Sequence, residues 1–273
     1  MRAEPEGSGY AGGHLALLQL IWGEGFLSPG GPAEVGLILD GLDLAGRRVL
    51  DIGCGVGGID RLIAQDHSVA EVVGIDVEAP LVDEARRATA GSAVAGKVRF
   101  ELVEPGPLPF ADASFDAVFS KDSILHVPDK QALARDIFRL LRPGGVFAAS
   151  DWMTGREGPP TPQMQRYLDA EGLGFVMATQ AHYRTELEAA GFVDISFFDR
   201  NAWYRDLARE EEAALAGPLR ETILARTDEA FLDQQLDVWR TMRIVLDSGE
   251  LRPTHIRAVK PPTDVPEGDH VEP

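Results

Sequence analysis

The chain is poor in cysteine, in lysine and in long apolar runs. A single cysteine, Cys54, among 273 residues excludes an intramolecular disulfide and a cysteine-rich metal site. His14, His67, His126, His182, His255 and His270 are scattered without ligand spacing, so no metal is expected. Only four lysines occur, and acidic residues outnumber basic ones to leave a formal net charge of −18. A polyanion needs a basic surface, which argues against nucleic acid as a partner. No apolar run reaches the ~18 residues of a membrane span. The first ten residues, MRAEPEGSGY, lack the basic and apolar regions of a signal peptide. A cytoplasmic protein with no membrane partner is the expectation; nothing in the sequence sets an oligomeric state.

What is present is an alternation of strand and helix patterns, as a parallel sheet requires. Hydrophobic residues make up 44% of the chain, enough for a full core. Strands are expected at 47–52, 71–76, 98–103, 115–120, 146–150, 193–198 and 255–259. Helices are expected near 33–42, 59–66, 79–90 and 131–141, the last stopped by Arg142-Pro143-Gly144-Gly145. The fold class is therefore α/β: a doubly wound, seven-stranded Rossmann-like sheet with an N-terminal helical arm and a helical lid insertion before the last strand. The expected division is an arm at 1–31, a cofactor-binding core at 32–200, the insertion at 201–250, the last strand at 251–260 and a disordered acidic tail at 261–273. In the insertion Trp239, Met242, Val245 and Leu246 fall at helical spacing; for Trp239 alone, simple core packing is the better reading.

Residues 49–58, reading VLDIGCGVGG, end a strand, turn on glycine and open a helix. Glycine lets the backbone turn sharply and approach a ligand closely. The helix that follows offers free N–H groups to a carboxylate or phosphate. Asp76, in GID at the tip of the second strand, is placed to accept both ribose hydroxyls of a nucleotide-type cofactor. The acidic Asp51, two residues before the turn, opposes a pyrophosphate and suits a cationic ligand, as S-adenosylmethionine is. DIGCGVGG, then GID, then LPFADASFDAVFS, then RLLRPGG resemble, in that order, a class I S-adenosylmethionine-dependent methyltransferase over roughly residues 10–260. The resemblance implies that S-adenosyl-L-methionine is the cofactor, with Asp51, Gly53, Cys54, Gly55, Asp76 and Ser120 on its side of the site. It further implies that Val77 flanks the adenine and that Glu104 stands where relatives have an aspartate holding the adenine amino group.

Methyl transfer from a sulfonium is an in-line displacement with a neutral leaving group. The enzyme must align the nucleophile, exclude water and remove a proton if the nucleophile carries one. The end of strand four, SKDSILHVPD, supplies Asp122 and His126 as titratable candidates. A histidine titrates near pH 6.5, close to working pH; Asp122 has the plainer alternative of capping the turn. SKDSILH, together with WGEGFLSPGG at 22–31, resembles the phosphoethanolamine N-methyltransferases and their bacterial relatives. The resemblance implies that Tyr10 pairs with His126 to close the active site and that Asp122 contacts the substrate amine.

The departures from that subfamily matter as much. Its phosphate clamp uses an arginine, a tyrosine and a lysine, and the matching positions here are Leu173, Phe175 and Met242. A phosphomonoester needs charge-assisted bonds of about 1.5–3 kcal/mol each to replace its hydration, and these side chains offer none. Trp152 replaces a tyrosine after the strand-five Asp151. An apolar, aromatic pocket beside Asp122 and Asp151 suits a cationic or electron-rich aromatic acceptor. The expected partner is thus a small-molecule acceptor: a non-phosphorylated amine or an amine-bearing aromatic molecule. The alternatives are carbon methylation of an electron-rich, indole-like ring in natural-product biosynthesis, phosphoethanolamine N-methylation, and a catalytically silent cofactor sensor.

Overall fold

The computed structural model describes residues 13–263. Tyr10 and most of the tail expected to be disordered lie outside the described residues. Helices α1 (Gly13–Trp22) and α2 (Gly31–Leu39) precede the sheet. The sheet then alternates: β1 (Arg48–Ile52), α3 (Gly58–Asp66), β2 (Glu71–Asp76), α4 (Ala79–Thr89), β3 (Val98–Leu102) and β4 (Phe115–Lys121). After a 3-10 turn at Ile124–His126 come α5 (Lys130–Leu140), β5 (Leu141–Thr154), α6 (Pro162–Glu171), α7 (Gln180–Ala190) and β6 (Val193–Asp199). Helices α8 (Asn201–Ala216), α9 (Arg220–Leu224) and α10 (Glu229–Asp247) follow, and β7 (Leu251–Val259) closes the fold.

The seven strands lie in the order β3-β2-β1-β4-β5-β7-β6, with β7 antiparallel to both of its neighbours. The order reverses between β1 and β4, which opens a crevice at their carboxyl ends, where open α/β sheets bind ligands. Strand interiors are near-continuous apolar runs because helices cover both faces. Leu50, Val73, Val118 and Phe147 face α5 and α7, whereas Val49, Val72, Ala117 and Phe119 face α2, α3 and α4. A separate apolar cluster, including Leu17, Tyr167, Tyr204, Leu236, Trp239 and Met242, binds α1, α6, α8 and α10 into a cap over the crevice.

Two differences from the sequence reading have clear causes. Strand β5 begins at Leu141 rather than 146, because Leu141 already pairs with Phe115. The Pro-Gly-Gly turn, with Gly144 at φ +77°, is taken up as a bulge before Val146 pairs with Ala117. Helix α6 was not anticipated, although Thr161 caps it by accepting from the Met164 N–H and Pro162 opens it.

Candidate functional site

The glycine loop is held by its own backbone. The Gly53 and Cys54 N–H groups donate to the Ile75 carbonyl at 2.8 and 3.0 Å, strapping the loop to β2. The Gly55 N–H donates to Asp76 Oδ2 at 2.9 Å, and the Glu78 N–H to Asp76 Oδ1 at 3.0 Å. Asp76 therefore fixes the loop with the same carboxylate that stands at the strand tip. Gly53, Gly55 and Gly57 all have positive φ. The N-terminal arm presses onto this loop. A Cβ on Gly58 would stand 2.1 Å from the Gly25 carbonyl oxygen, and one on Gly55 would stand 2.9 Å from Leu27.

Side chains around the loop sort into those that reach the crevice and those that do not. Val77 and Glu104 are exposed beyond β2 and β3. Ser120, expected beside the cofactor, is fully buried and donates to the Ile52 carbonyl at 2.8 Å, so it ties β4 to β1 instead. Cys54 turns its thiol inward beneath the loop, leaving only its backbone toward a ligand; burial pushes that thiol well above its usual range. Asp51 is buried with neither carboxyl oxygen bonded to a donor among the described residues. An orphaned anion below a glycine cradle fits a cationic cofactor and not a pyrophosphate.

Beside the crevice, the ends of β4, β5 and β7 meet α2 and α8 around a small cavity. Asp122 lies at its wall with φ +52°, its carboxylate accepting from Lys121 Nζ at 2.7 Å and Ser150 Oγ at 3.0 Å. Lys121 also donates to Ser28 Oγ of the arm at 3.0 Å. Glu34 lines the cavity too, accepting two bonds of 2.8 Å from Arg200 and lying 2.7 Å from His255 Nε2. Burial alone would raise the pKa of Glu34, but His255 and Arg200 outweigh it and hold the carboxyl below its usual range.

Trp152, Trp203 and Tyr204 supply the aromatic walls. Trp152 sits 5.4 Å from Tyr204, 6.1 Å from Phe175 and 6.5 Å from Tyr167, in a stacked arrangement with the last. Phe175 stands between this group and His126, whose ring meets it edge-on at 5.2 Å. His126 is hydrogen-bonded to the backbone of Leu173. A carbonyl partner fixes the tautomer, and the second ring nitrogen has no hydrogen-bond partner among the described residues. Burial, partly offset by that bond, lowers the His126 pKa, so the ring is neutral at pH 7.

Three of the residues expected to bind substrate take other positions. Asp151 faces away from the cap, because alternation along β5 sends it to the side opposite Trp152. It is fully buried and accepts from the Leu125 N–H at 3.0 Å and from the Tyr183 hydroxyl. Met242 lies behind Tyr204, with the Tyr204 hydroxyl 3.5 Å from its sulfur. Leu173 contributes its backbone rather than its side chain. Arg240 and Arg243 on α10 both pair with Glu212 of α8, outside the cavity.

The sequence reading missed Tyr167, Trp203, Tyr204, Lys121 and Glu34. Lys121 had a signal, a charge directly after the buried run 117–120 of β4. The aromatic residues had none, because only the packing of α6 and α8 brings them to Trp152.

The comparisons with known proteins agree with this geometry. Residues 50–149 match the model of a methyltransferase domain family. The chain is 36% identical over 192 residues to phosphoethanolamine N-methyltransferase 1 of Triticum aestivum, covering 70% of this chain and 37% of that protein. It is 38% identical over 184 residues to the O-methyltransferase resE of Aspergillus sclerotiorum, covering 66% of this chain and 69% of the relative. Phosphoethanolamine N-methyltransferase 2 of Haemonchus contortus, solved with phosphomonomethylethanolamine and S-adenosylhomocysteine, superposes with a TM-score of 0.82 at 26% identity, over 91% of this chain and 57% of that one. The chain thus spans less than half the length of the wheat enzyme. Together with the glycine loop at the switch point, the acidic tip of β2 and the antiparallel seventh strand, these matches place the chain in the class I S-adenosylmethionine-dependent methyltransferase family.

Proposed function

We propose that the chain methylates a small, non-phosphorylated amine, or an amine carried on an aromatic body. The charge of the cavity carries this reading. Lys121 is the one cation on its lining among the described residues, and it is already bound to Asp122 and Ser28. Glu34 and Asp122 bring two carboxylates, and Trp152, Trp203 and Tyr204 bring π-faces. Aromatic faces beside carboxylates suit an ammonium or a polarised ring. A phosphate dianion there meets two anions and no free donor charge, at a desolvation cost that nothing offsets.

Each residue has a definable task. The bound cofactor supplies an electrophilic methyl group on a positively charged sulfur. Asp122, which accepts from Lys121 and Ser150, anchors the cationic end of the acceptor. His126, neutral and with one free nitrogen, takes the proton that an amine must lose to attack. The arm and the cap exclude water; the pairing of Tyr10 with His126 is what the resemblance implies, and Tyr10 lies outside the described residues. The residues matching the subfamily's phosphate clamp, Leu173, Phe175 and Met242, leave recognition to shape.

The test is incubation with methyl-labelled cofactor and a panel of ethanolamine, phosphoethanolamine, tryptamine-like and phenolic acceptors, with the product position read by mass spectrometry. Label on nitrogen of a non-phosphorylated acceptor is the expected result. Label on ring carbon points to the alternative of carbon methylation, which the aromatic walls also accommodate.

A further inference from the structure

Two buried carboxyls beneath the glycine loop have no task in the mechanism so far. Asp51 is on β1, two residues before the loop, and Asp60 is in the first turn of α3, just after it. Their carboxyls lie within hydrogen-bond reach of each other. Both side chains are inaccessible, and no other described residue donates a hydrogen bond to any of the four oxygens; the one backbone donor is the N–H of Asp60 itself. The space they occupy is cut into the sheet. Gly74, the partner of Asp51 across β1 and β2, has no room for a side chain, because a Cβ there would stand 2.5 Å from Asp60 Oδ1.

Two carboxylates in contact without a donor make no hydrogen bond and repel strongly in a low dielectric. One proton between them converts the contact into a hydrogen bond, as in other paired-carboxyl sites. The surroundings keep that proton in place. Asp76 on β2 adds a third acidic group, and the Cys54 thiol beside the pair stays neutral. Arg61 of α3 is the neighbouring cation; it favours the charged form of Asp60 while its guanidinium donates to the Val56 carbonyl at 3.1 Å.

We infer that Asp51 and Asp60 share a single proton and release it when a sulfonium binds above them, so that the pair favours the charged cofactor over its thioether product. Without cofactor the pair holds one O–H bond and a net charge of −1. On binding of S-adenosylmethionine that O–H bond breaks, the proton goes to solvent, and the pair at −2 faces the sulfonium. After methyl transfer the sulfur is neutral, the pair recovers a proton from solvent, and its hold on the product weakens. Burial first, and then the neighbouring carboxylates, keep Asp51 well above the ordinary carboxylate range, and burial raises Asp60 to about 7. Nothing in this linkage depends on which acceptor is methylated.

Calorimetry on the full chain at pH 7 tests it, with S-adenosylmethionine and S-adenosylhomocysteine titrated in phosphate, MOPS and Tris. The dependence of heat on buffer ionisation gives the protons released. The methylated cofactor should release at least about half a proton more than the product. Its affinity advantage over the product should grow at least about fivefold from pH 6 to pH 8. In Asp60→Asn both differences should vanish, because the amide supplies the hydrogen bond and no proton is left to release. Equal proton release by the two ligands in the native protein, with a pH-independent affinity ratio, overturns the inference whether or not the variant folds. So does an Asp60→Asn protein that keeps the full difference.

Discussion

At the scale of single residues, the proposed function gives His126 the acceptor's proton and Asp122 its charge. His126→Ala should lower turnover by about 10² or more, the usual contribution of a general base. It should leave S-adenosylhomocysteine affinity unchanged by calorimetry, because the ring touches Phe175 and Leu173 rather than the glycine loop. The sign of the pH effect follows from its lowered pKa. Turnover should hold at pH 7 and fall only as pH drops below about 6.5, where the ring takes up its own proton. That acidic limb should disappear in His126→Ala, and a surviving limb would move the base to another group. Asp122→Asn should instead raise the KM of a cationic acceptor at least about tenfold, the expectation for losing a charge-assisted bond, and leave a neutral acceptor less affected. Of these residues, Asp51, Asp76, Asp122 and His126 were legible from their motifs. Tyr167 and Tyr204 were not, because aromatic residues on an amphipathic helix read as core wherever the helix packs.

At the scale of elements, the cap is joined to the arm by one carboxylate. Glu211 of α8 accepts from Trp22 Nε1 of α1 at 2.7 Å and from Trp239 Nε1 of α10 at 3.0 Å. Glu211→Ala leaves two indole N–H groups without that acceptor, and the buried one, on Trp239, costs about 1–3 kcal/mol as an orphan. Urea denaturation should show a loss of that order, and amide exchange should show α1 losing protection before the sheet does. Equal protection of α1 in both proteins would mean that apolar packing alone holds the arm. Strand and helix positions were legible because the sheet is covered on both faces and its periodicity is strong. The cap was legible only as helices. Its contacts join residues as far apart in the chain as Trp22 and Glu211, and no local pattern encodes such a pairing. The arm's grip on the glycine loop was hidden for the same reason: the Gly25 carbonyl reserves the space at Gly58.

At the scale of the molecule, buried acids set the response to pH. Burial pushes Glu211 up to about 7 and also raises Asp51, Asp60 and Asp151. Carboxyls whose pKa is higher in the folded state bind protons that the unfolded chain has already lost. They stabilise the fold fully below about pH 4 and progressively less up to about pH 7. Glu34, Glu71 and Asp116, held low by arginine partners or, for Glu34, also by His255, act in the opposite sense below about pH 4.5. The melting temperature should therefore peak near pH 5 and fall by about 5 °C or more by pH 7.5, given about 2–4 °C per kcal/mol for a chain of this size. Added salt should recover part of the loss, because it also screens the net charge of −18. A melting temperature that rises steadily from pH 5 to 7.5 would contradict this account of the buried acids. The central claim is that the cavity accepts an amine and rejects a phosphate, and a competition in one vessel tests it most directly. Phosphoethanolamine and a panel of non-phosphorylated amines, at equal concentrations with methyl-labelled cofactor, should partition label at least about tenfold toward a non-phosphorylated amine, the factor that each 1.4 kcal/mol of discrimination supplies. Saturable methylation of phosphoethanolamine ahead of every other acceptor would contradict it.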